Sequence, residues 1–230
     1  MKPVTRPRVK ICCISSRAEA ELAIHYGASA LGLVSAMPSG PGVIAEDLIA
    51  QLAALVPPPI ASFLLTSQQD VTLIMAQQRR LGANTLQLCD RLASGSYQEL
   101  RAALPGIALV QVIHVTGPES IAEAASVAPH VDAILLDSGN QSLPVKELGG
   151  TGRTHDWSLS RRIRESLEIP IFLAGGLNPD NVAEAIRQVG PFGIDVCSGV
   201  RTDGKLDEMK LSRFFASIAQ AERMLASAAE

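Results

Sequence analysis

One stretch, IFLAGGLNPDNVAEAIRQVG at residues 171–190, contains the structural unit from which the chain is built. Its apolar residues at 171–175 predict a short buried strand. A glycine turn follows, and the alanine-rich, charged pattern at 179–188 predicts a helix. Asn178 is a predicted helix cap, and Pro179 suits a first helical position. The stretch therefore predicts a strand, a polar turn and a helix in immediate succession.

The same unit recurs on both sides of this stretch. Predicted strands lie at 9–13, 30–34, 60–65, 85–89, 109–115, 133–137, 171–175 and 193–198. Predicted helices lie near 16–27, 45–56, 68–82, 94–104, 118–129, 157–167, 179–188 and 207–226. Eight units in 230 residues predict a (β/α)8 TIM barrel at the compact end of its size range. A doubly wound open sheet is the alternative, but it normally carries a GxGxxG-like turn after the first strand, where this chain has CCISSR.

Composition limits the classes of protein that fit this pattern. The chain is 47% hydrophobic with a net charge of −3, and its length fits one domain over 1–230, with 1–8 as an N-terminal extension and 216–230 as the end of the last helix and a tail. The slight acidity argues against a nucleic-acid-binding surface. No apolar run approaches the roughly 18 residues of a membrane span, and no secretory apolar segment follows the N-terminus. We expect a cytoplasmic protein, a monomer or a homodimer, whose four cysteines are reduced.

Polar and reactive residues stand where the predicted strands end. In a barrel these ends form the active-site face, and they carry Cys12, Cys13, Cys89, His114, Asp137 and Ser198. Asp137 follows four apolar residues and shares the inward face of its strand with Leu135. Partial burial raises the pKa of a carboxyl group and suits it to act as a general acid. The alternative is a structural aspartate that caps the following loop.

The first strand carries two adjacent cysteines. Cys12 shares a face with Lys10, whose ammonium group is expected to lower the thiol pKa and make a base or nucleophile available. Cys13 is then expected to point outward to the helix layer and to pack as a small apolar residue. Asp195 on the neighbouring eighth strand is the expected partner of Lys10. In the alternative interpretation both cysteines only fill the core.

Three glycine clusters follow the last three strands. They are GGTG at 149–152, LAGGLN at 173–178 and CSGV at 197–200. Glycine lets backbone N–H groups approach an anion, and phosphate sites in this fold commonly lie after strands seven and eight. Each cluster alone could be a tight turn, but three in one quadrant predict a phosphorylated small-molecule ligand.

Together, VKICCIS, QL at 87–88, ILLDS, GGTGRTHDW, LAGGLNPDNV and GIDVCSGV resemble phosphoribosylanthranilate isomerase of tryptophan biosynthesis, from Val9 to about Phe215. The resemblance implies an Amadori rearrangement without a metal or an organic cofactor. It implies that Asp137 protonates the ring oxygen as general acid and that Cys12 removes the C2′ proton as general base. It places the phosphate on the backbone of Gly150, Thr151, Gly152, Gly175, Gly176, Ser198 and Gly199. Further predicted substrate-binding residues are Lys10, Gln87 and His114.

The chain departs from the pattern of that family at the aromatic end of the ligand. Cys13 occupies the glycine position of KICGIT, and Gly42 stands where the family has an arginine for the anthranilate carboxylate. Other departures are Cys89, Asp90, Gln111, His114 and Arg201. Arg91, His114 or Arg153 could replace the missing cation, or the ligand lacks a carboxylate there.

Three other functions fit parts of the pattern. The same acid–base pair could isomerise another phosphorylated sugar, or the glycine clusters could serve a non-catalytic phosphosugar-binding barrel. Thiolate and imidazole ligands also suit zinc, and the candidate ligands are Cys12, Cys89, Cys197 and His114. No two of these have the close spacing of a CxxC motif.

Overall fold

The computed structural model describes residues 6–227, and eight parallel strands in it close into a barrel in chain order. They are β1 Arg8–Ile11, β2 Ala30–Val34, β3 Ala61–Thr66, β4 Thr85–Leu88, β5 Ala108–His114, β6 Ala133–Asp137, β7 Ile171–Leu173 and β8 Gly193–Val196. The barrel closes where β8 pairs with β1, with Lys10 opposite Asp195 in the register. The predicted TIM barrel is confirmed.

A helix follows every strand, as a barrel of βα units requires. The helices are α1 Arg17–His25, α2 Glu46–Leu55, α3 Val71–Leu81, α4 Tyr97–Ala103, α5 Glu119–Val127, α6 Trp157–Ser166, α7 Val182–Val189 and α8 Glu208–Ser227. A small antiparallel pair, β9 Arg201–Thr202 and β10 Lys205–Leu206, precedes α8. Asp156 caps the start of α6, because its side chain accepts a hydrogen bond from the backbone N–H of Ser158.

The segment after β7 differs from the prediction. The Asn178 side chain accepts from the backbone N–H groups of Asp180 and Asn181, so it closes a turn before the helix begins. Helix α7 starts only at Val182, with Asn181 at its N-cap position. The predictions of Asn178 as the helix cap and of Pro179 as the first helical residue are therefore wrong.

Apolar side chains form two layers of core. One layer fills the space between the strands and the surrounding helices, and includes Ile11, Leu31 and Leu64. The other fills the barrel interior and includes Phe63 and Phe172, whose rings are in edge-on contact. Strand alternation produces both layers, since successive side chains point to opposite faces.

The ends of the chain lie partly outside the described residues. Of the predicted extension at 1–8, residues 1–5 are outside them and Arg8 already belongs to β1. Of the predicted tail at 216–230, α8 includes the part to Ser227, and residues 228–230 are outside. That 1–230 forms one domain stays a prediction. No helix within 6–227 has the length and apolar character needed to cross a membrane.

Candidate active site

The carboxyl ends of the barrel strands surround a pocket with about 680 Å³ of space free of protein atoms, part of it open to solvent. The predicted site residues that line it are Cys12, Gln87, Asp137, Gly150, Thr151, Gly152, Gly175, Gly176 and Ser198. Three others, Lys10, His114 and Gly199, do not line it. The structure therefore brings most of the predicted site to one pocket.

Asp137 ends β6 and faces this pocket with 8% of its surface exposed. One carboxylate oxygen accepts a hydrogen bond of 2.7 Å from the backbone N–H of Ser138. Burial raises the pKa of Asp137 above its usual value, against the opposing effects of the Ser138 N–H and the charge of His114. A carboxyl group in this state can hold and donate a proton at higher pH than an exposed aspartate.

Cys12 lies across the pocket, with Lys10 and Asp195 beneath it. The Lys10 ammonium is fully buried and donates to an Asp195 carboxylate oxygen at 2.8 Å, which confirms the predicted contact. Gly32 on β2 leaves room for this group. A Cβ atom there would lie 2.8 Å from the Cys12 sulfur and 3.1 Å from the Lys10 nitrogen. The thiol and the ammonium group therefore occupy the space that a side chain at position 32 would fill.

The thiol pKa differs from the sequence prediction. Burial raises the pKa of Cys12 to about 11, and the lowering effect of Lys10 is smaller than this desolvation. Asp195 opposes Lys10 and raises the pKa further. The expectation that Lys10 would lower the thiol pKa on balance is wrong, because desolvation of the buried thiol outweighs the attraction of Lys10 and the charge of Asp195 opposes that attraction.

Cys13 occupies a different place from the one predicted. Strand β1 ends at Ile11, and Cys13 adopts a left-handed backbone conformation with φ of 63°, so strand alternation does not reach it. Its sulfur forms a disulfide with Cys197 at the end of β8, with a Cα–Cα distance of 5.9 Å. The expectations that Cys13 faces the helix layer and that all cysteines are reduced are wrong. Cys12 and Cys89 are free.

The three glycine loops (residues 149–152, 175–176 and 197–200) pack closely. A Cβ atom on two of their glycines would collide with the backbone of a neighbouring segment. A Cβ on Gly176 would lie 2.6 Å from the carbonyl carbon of Arg153, and one on Gly199 would lie 1.9 Å from the Leu177 carbonyl oxygen. Among the described residues, no protein group accepts from the backbone N–H of Gly150, Gly175 or Gly176. Unpaired N–H groups at the wall of a pocket are suited to hold an anion.

His114 ends β5 opposite Asp137 but does not line the pocket. Its Nε2 lies 3.2 Å from the carbonyl oxygen of Cys89, which can only accept, so this nitrogen carries the proton. Gln87 does line the pocket, and its amide nitrogen lies 3.7 Å from the Cys89 sulfur while its oxygen has no partner within the described residues.

Sequence reasoning missed the structural role of Arg201. Its buried guanidinium group pairs with Glu19 at 3.0 Å and donates to the carbonyl oxygens of Cys12 at 3.2 Å and Cys13 at 2.5 Å. It therefore holds the turn that carries both cysteines. The sequence showed Arg201 only as a departure from the pattern of the resembled family, without a partner to explain it.

The zinc alternative lacks a cluster of ligands. Within 6–227, no three His, Cys, Asp or Glu side chains are placed to hold a metal ion together. Of the four candidates, Cys197 is joined to Cys13, and the proton-bearing His114 nitrogen is directed at a carbonyl group.

Comparison with known proteins gives consistent matches along the chain. A family model described as N-(5′-phosphoribosyl)anthranilate (PRA) isomerase matches residues 9–217. The N-(5′-phosphoribosyl)anthranilate isomerase of Haloferax volcanii is 36% identical over 217 residues, 94% of each chain. That of Methanosarcina acetivorans is 34% identical and covers 94% of this chain and 96% of its own. The solved isomerase of Thermotoga maritima is 27% identical with a TM-score of 0.76, over 93% of this chain and 99% of its own.

Proposed function

Because the chain belongs to the N-(5′-phosphoribosyl)anthranilate isomerase family, and is thus an isomerase of the aldose–ketose type, we propose that it converts N-(5′-phosphoribosyl)anthranilate to 1-(2-carboxyphenylamino)-1-deoxyribulose 5-phosphate in tryptophan biosynthesis. The observation that carries the proposal is the arrangement of one pocket. A buried carboxyl group, a buried thiol and a set of glycine N–H groups all line it.

The glycine loops hold the substrate phosphate. Backbone N–H groups at Gly150, Gly152, Gly175 and Gly176 are available to a dianion, and the short 3₁₀ helix beginning at Ser198 adds its free N–H groups. This contact fixes one end of the sugar, so that the reacting carbons lie between the strand ends of β1 and β6.

Asp137 opens the ring. It donates its proton to the furanose ring oxygen while the C1′–O bond breaks, and the electron pair on the anthranilate nitrogen forms the C1′=N bond of a cationic Schiff base. The raised pKa keeps a proton available for this transfer. The Ser138 N–H then stabilises the carboxylate that results.

Cys12 carries the second proton transfer. As thiolate it removes the proton at C2′, the C–H electron pair forms the C1′=C2′ bond, and the Schiff base nitrogen becomes neutral in an enolamine. The enolamine tautomerises to the ketose. A thiol with a pKa of about 11 is a weak source of thiolate at neutral pH, but the cationic Schiff base formed beside it favours the charged form at that step.

The test is the loss of anthranilate fluorescence when the purified protein is mixed with freshly generated N-(5′-phosphoribosyl)anthranilate. We expect turnover by the wild type and losses of at least about a hundredfold for Cys12→Ala and Asp137→Asn. Asp203→Asn is the matched control, because that aspartate lies exposed in the β9–β10 turn. Absence of wild-type turnover, or full activity in both site variants, would refute the proposal.

The same experiment tests two of the alternatives. A non-catalytic phosphosugar-binding barrel would bind the substrate but show no turnover, and zinc chemistry would lose activity on treatment with a chelator. That the protein is cytoplasmic, a monomer or a homodimer, and without affinity for nucleic acid stays a prediction.

A further inference from the structure

The end of the pocket away from the phosphate is apolar and carries no positive charge among the described residues. With the phosphate on the glycine loops and the reacting carbons between Cys12 and Asp137, the amine substituent extends toward β2 and β3. The lining residues there are Val34, Met37 and Leu65. The only charged side chains in the whole lining are the carboxyl groups of Asp137 and Asp195. This wall suits an aromatic ring but offers no cationic partner for a carboxylate.

The cationic side chains near the mouth are already paired. The Lys146 ammonium binds the Asp90 carboxylate at 2.5 Å, and the Arg91 guanidinium binds Glu123 at 2.7 Å. Arg153 pairs with Glu147 on its own loop. None of these three cations lines the pocket. A substrate carboxylate would have to compete with an existing carboxylate for each of them.

The loop after β2 lines this end through Met37, and Cys13 prevents Gly42 of the same loop from carrying a cation. A Cβ atom on Gly42 would lie 2.4 Å from the Cβ of Cys13 and 3.0 Å from its Cα. Cys13 has little freedom to move away, because it is joined to Cys197 and its carbonyl group is held by Arg201. With Cys13 in place, residue 42 cannot carry a side chain without moving the backbone.

We propose that the pocket does not select for a carboxylate on the amine substituent, so that the protein also isomerises 5-phosphoribosylated arylamines that lack one. This inference rests on the proposed isomerase function, with the same proton transfers at the same sugar atoms. It defines the substrate class as N-aryl 5-phosphoribosylamines, recognised by their phosphate, their sugar and an apolar ring. A charged partner at the aromatic end is no part of that recognition.

The first experiment compares the binding of two unreactive ligands by titration calorimetry. One is reduced 1-(o-carboxyphenylamino)-1-deoxyribulose 5-phosphate, and the other is the same compound without its carboxyl group. We expect dissociation constants within about threefold of each other, whereas a charge-assisted contact to the carboxylate would separate them by at least about tenfold. A preference of tenfold or more for the carboxylated ligand would overturn the inference.

Turnover separates this inference from the function on which it rests. The protein is mixed with N-(5′-phosphoribosyl)anthranilate and with N-(5′-phosphoribosyl)aniline, and ketose formation is followed for each. Turnover of both supports the inference, and turnover of the anthranilate compound alone overturns it while leaving the proposed function intact. If neither is turned over, the proposed function fails, and the inference fails with it.

Two double variants test the steric argument. Cys13→Gly with Gly42→Arg removes the Cβ that obstructs residue 42, whereas Cys13→Ala with Gly42→Arg keeps it, and both lack the disulfide. Both also carry the strain of a non-glycine residue at φ of 84°, so this cost cancels in the comparison. We expect a preference of tenfold or more for the carboxylated ligand only in the double variant that combines Cys13→Gly with Gly42→Arg. Equal preferences in the two variants would overturn the steric argument.

Discussion

The ion pair between Lys10 and Asp195 is the structural feature whose removal has the most readily calculated effect. Lys10 is fully buried, its ammonium lies 2.8 Å from the Asp195 carboxylate, and it lies 5.2 Å from the centre of the Phe63 ring. The other Asp195 oxygen has no partner within the described residues. Replacing Lys10 with Met keeps most of the apolar volume but leaves a buried carboxylate without its cation.

Removing one partner of a buried pair costs about 3–5 kcal/mol, because the remaining charge stays desolvated. The 2.8 Å distance and the burial of both groups place Lys10→Met in this range. Replacing both partners, as Lys10→Met with Asp195→Asn, should cost clearly less than the sum of the two single changes. The coupling between neighbouring groups of this kind is about 0.5–3 kcal/mol.

The assay is urea unfolding followed by the fluorescence of Trp157, the one tryptophan in the chain. The pKa of Cys12 is measured alongside, from the pH dependence of its alkylation rate. Lys10 lowers this pKa and Asp195 raises it, so Lys10→Met should move it up and Asp195→Asn should move it down. Additive stability losses in the double variant, or pKa shifts in the same direction, would refute the reasoning.

Three further predictions concern the thiols and the acid. Titration of the denatured protein without reductant should find two thiols, Cys12 and Cys89, and four after reduction; four without reductant would contradict the Cys13–Cys197 disulfide. Asp137→Asn should raise the free energy of unfolding at pH 7 but not near pH 3, because a carboxyl group with a raised pKa in the folded state contributes stability that is lost as pH rises through that pKa. An equal gain at both pH values would rule this out. The wild-type kcat/KM should change near pH 11, where the Cys12 thiol titrates, and Cys12→Ser should remove this change; its persistence in the variant would contradict the assignment.

The sequence was sufficient to predict the barrel because its signals are local and repeated. Each strand, such as β2 at Ala30–Val34 and β6 at Ala133–Asp137, is a short apolar run, and a helix follows each one along the chain. Closure of the barrel then places β1 beside β8, which is why the contact between Lys10 and Asp195 could be predicted from alternation alone. The convergence of the three glycine loops follows from the same topology.

The pKa of Cys12 could not be predicted, because it depends on a balance of opposing effects. Sequence places a lysine near the thiol, and Coulomb attraction alone would lower the pKa. The structure adds two facts that the pattern does not contain, namely the complete burial of Lys10 and the 2.8 Å distance to Asp195. The cation is thus largely neutralised, and desolvation of the thiol decides the direction.

Cys13 shows where strand periodicity stops being informative. Alternation assigns it to the outer face only if β1 continues to residue 13, but the strand ends at Ile11 and the next turn brings Cys12 and Cys13 to the same pocket. The register between β1 and β8 gives information that alternation within one strand does not. Ile11 lies opposite Val196, and Cys197 directly follows Val196, which brings Cys197 close to the turn that carries Cys13. Cysteines at the ends of two adjacent parallel strands are close enough to pair, whatever their separation in sequence. The same turn sets Cys13 against Gly42, so a residue expected to pack as a small apolar side chain leaves no room for a side chain at position 42.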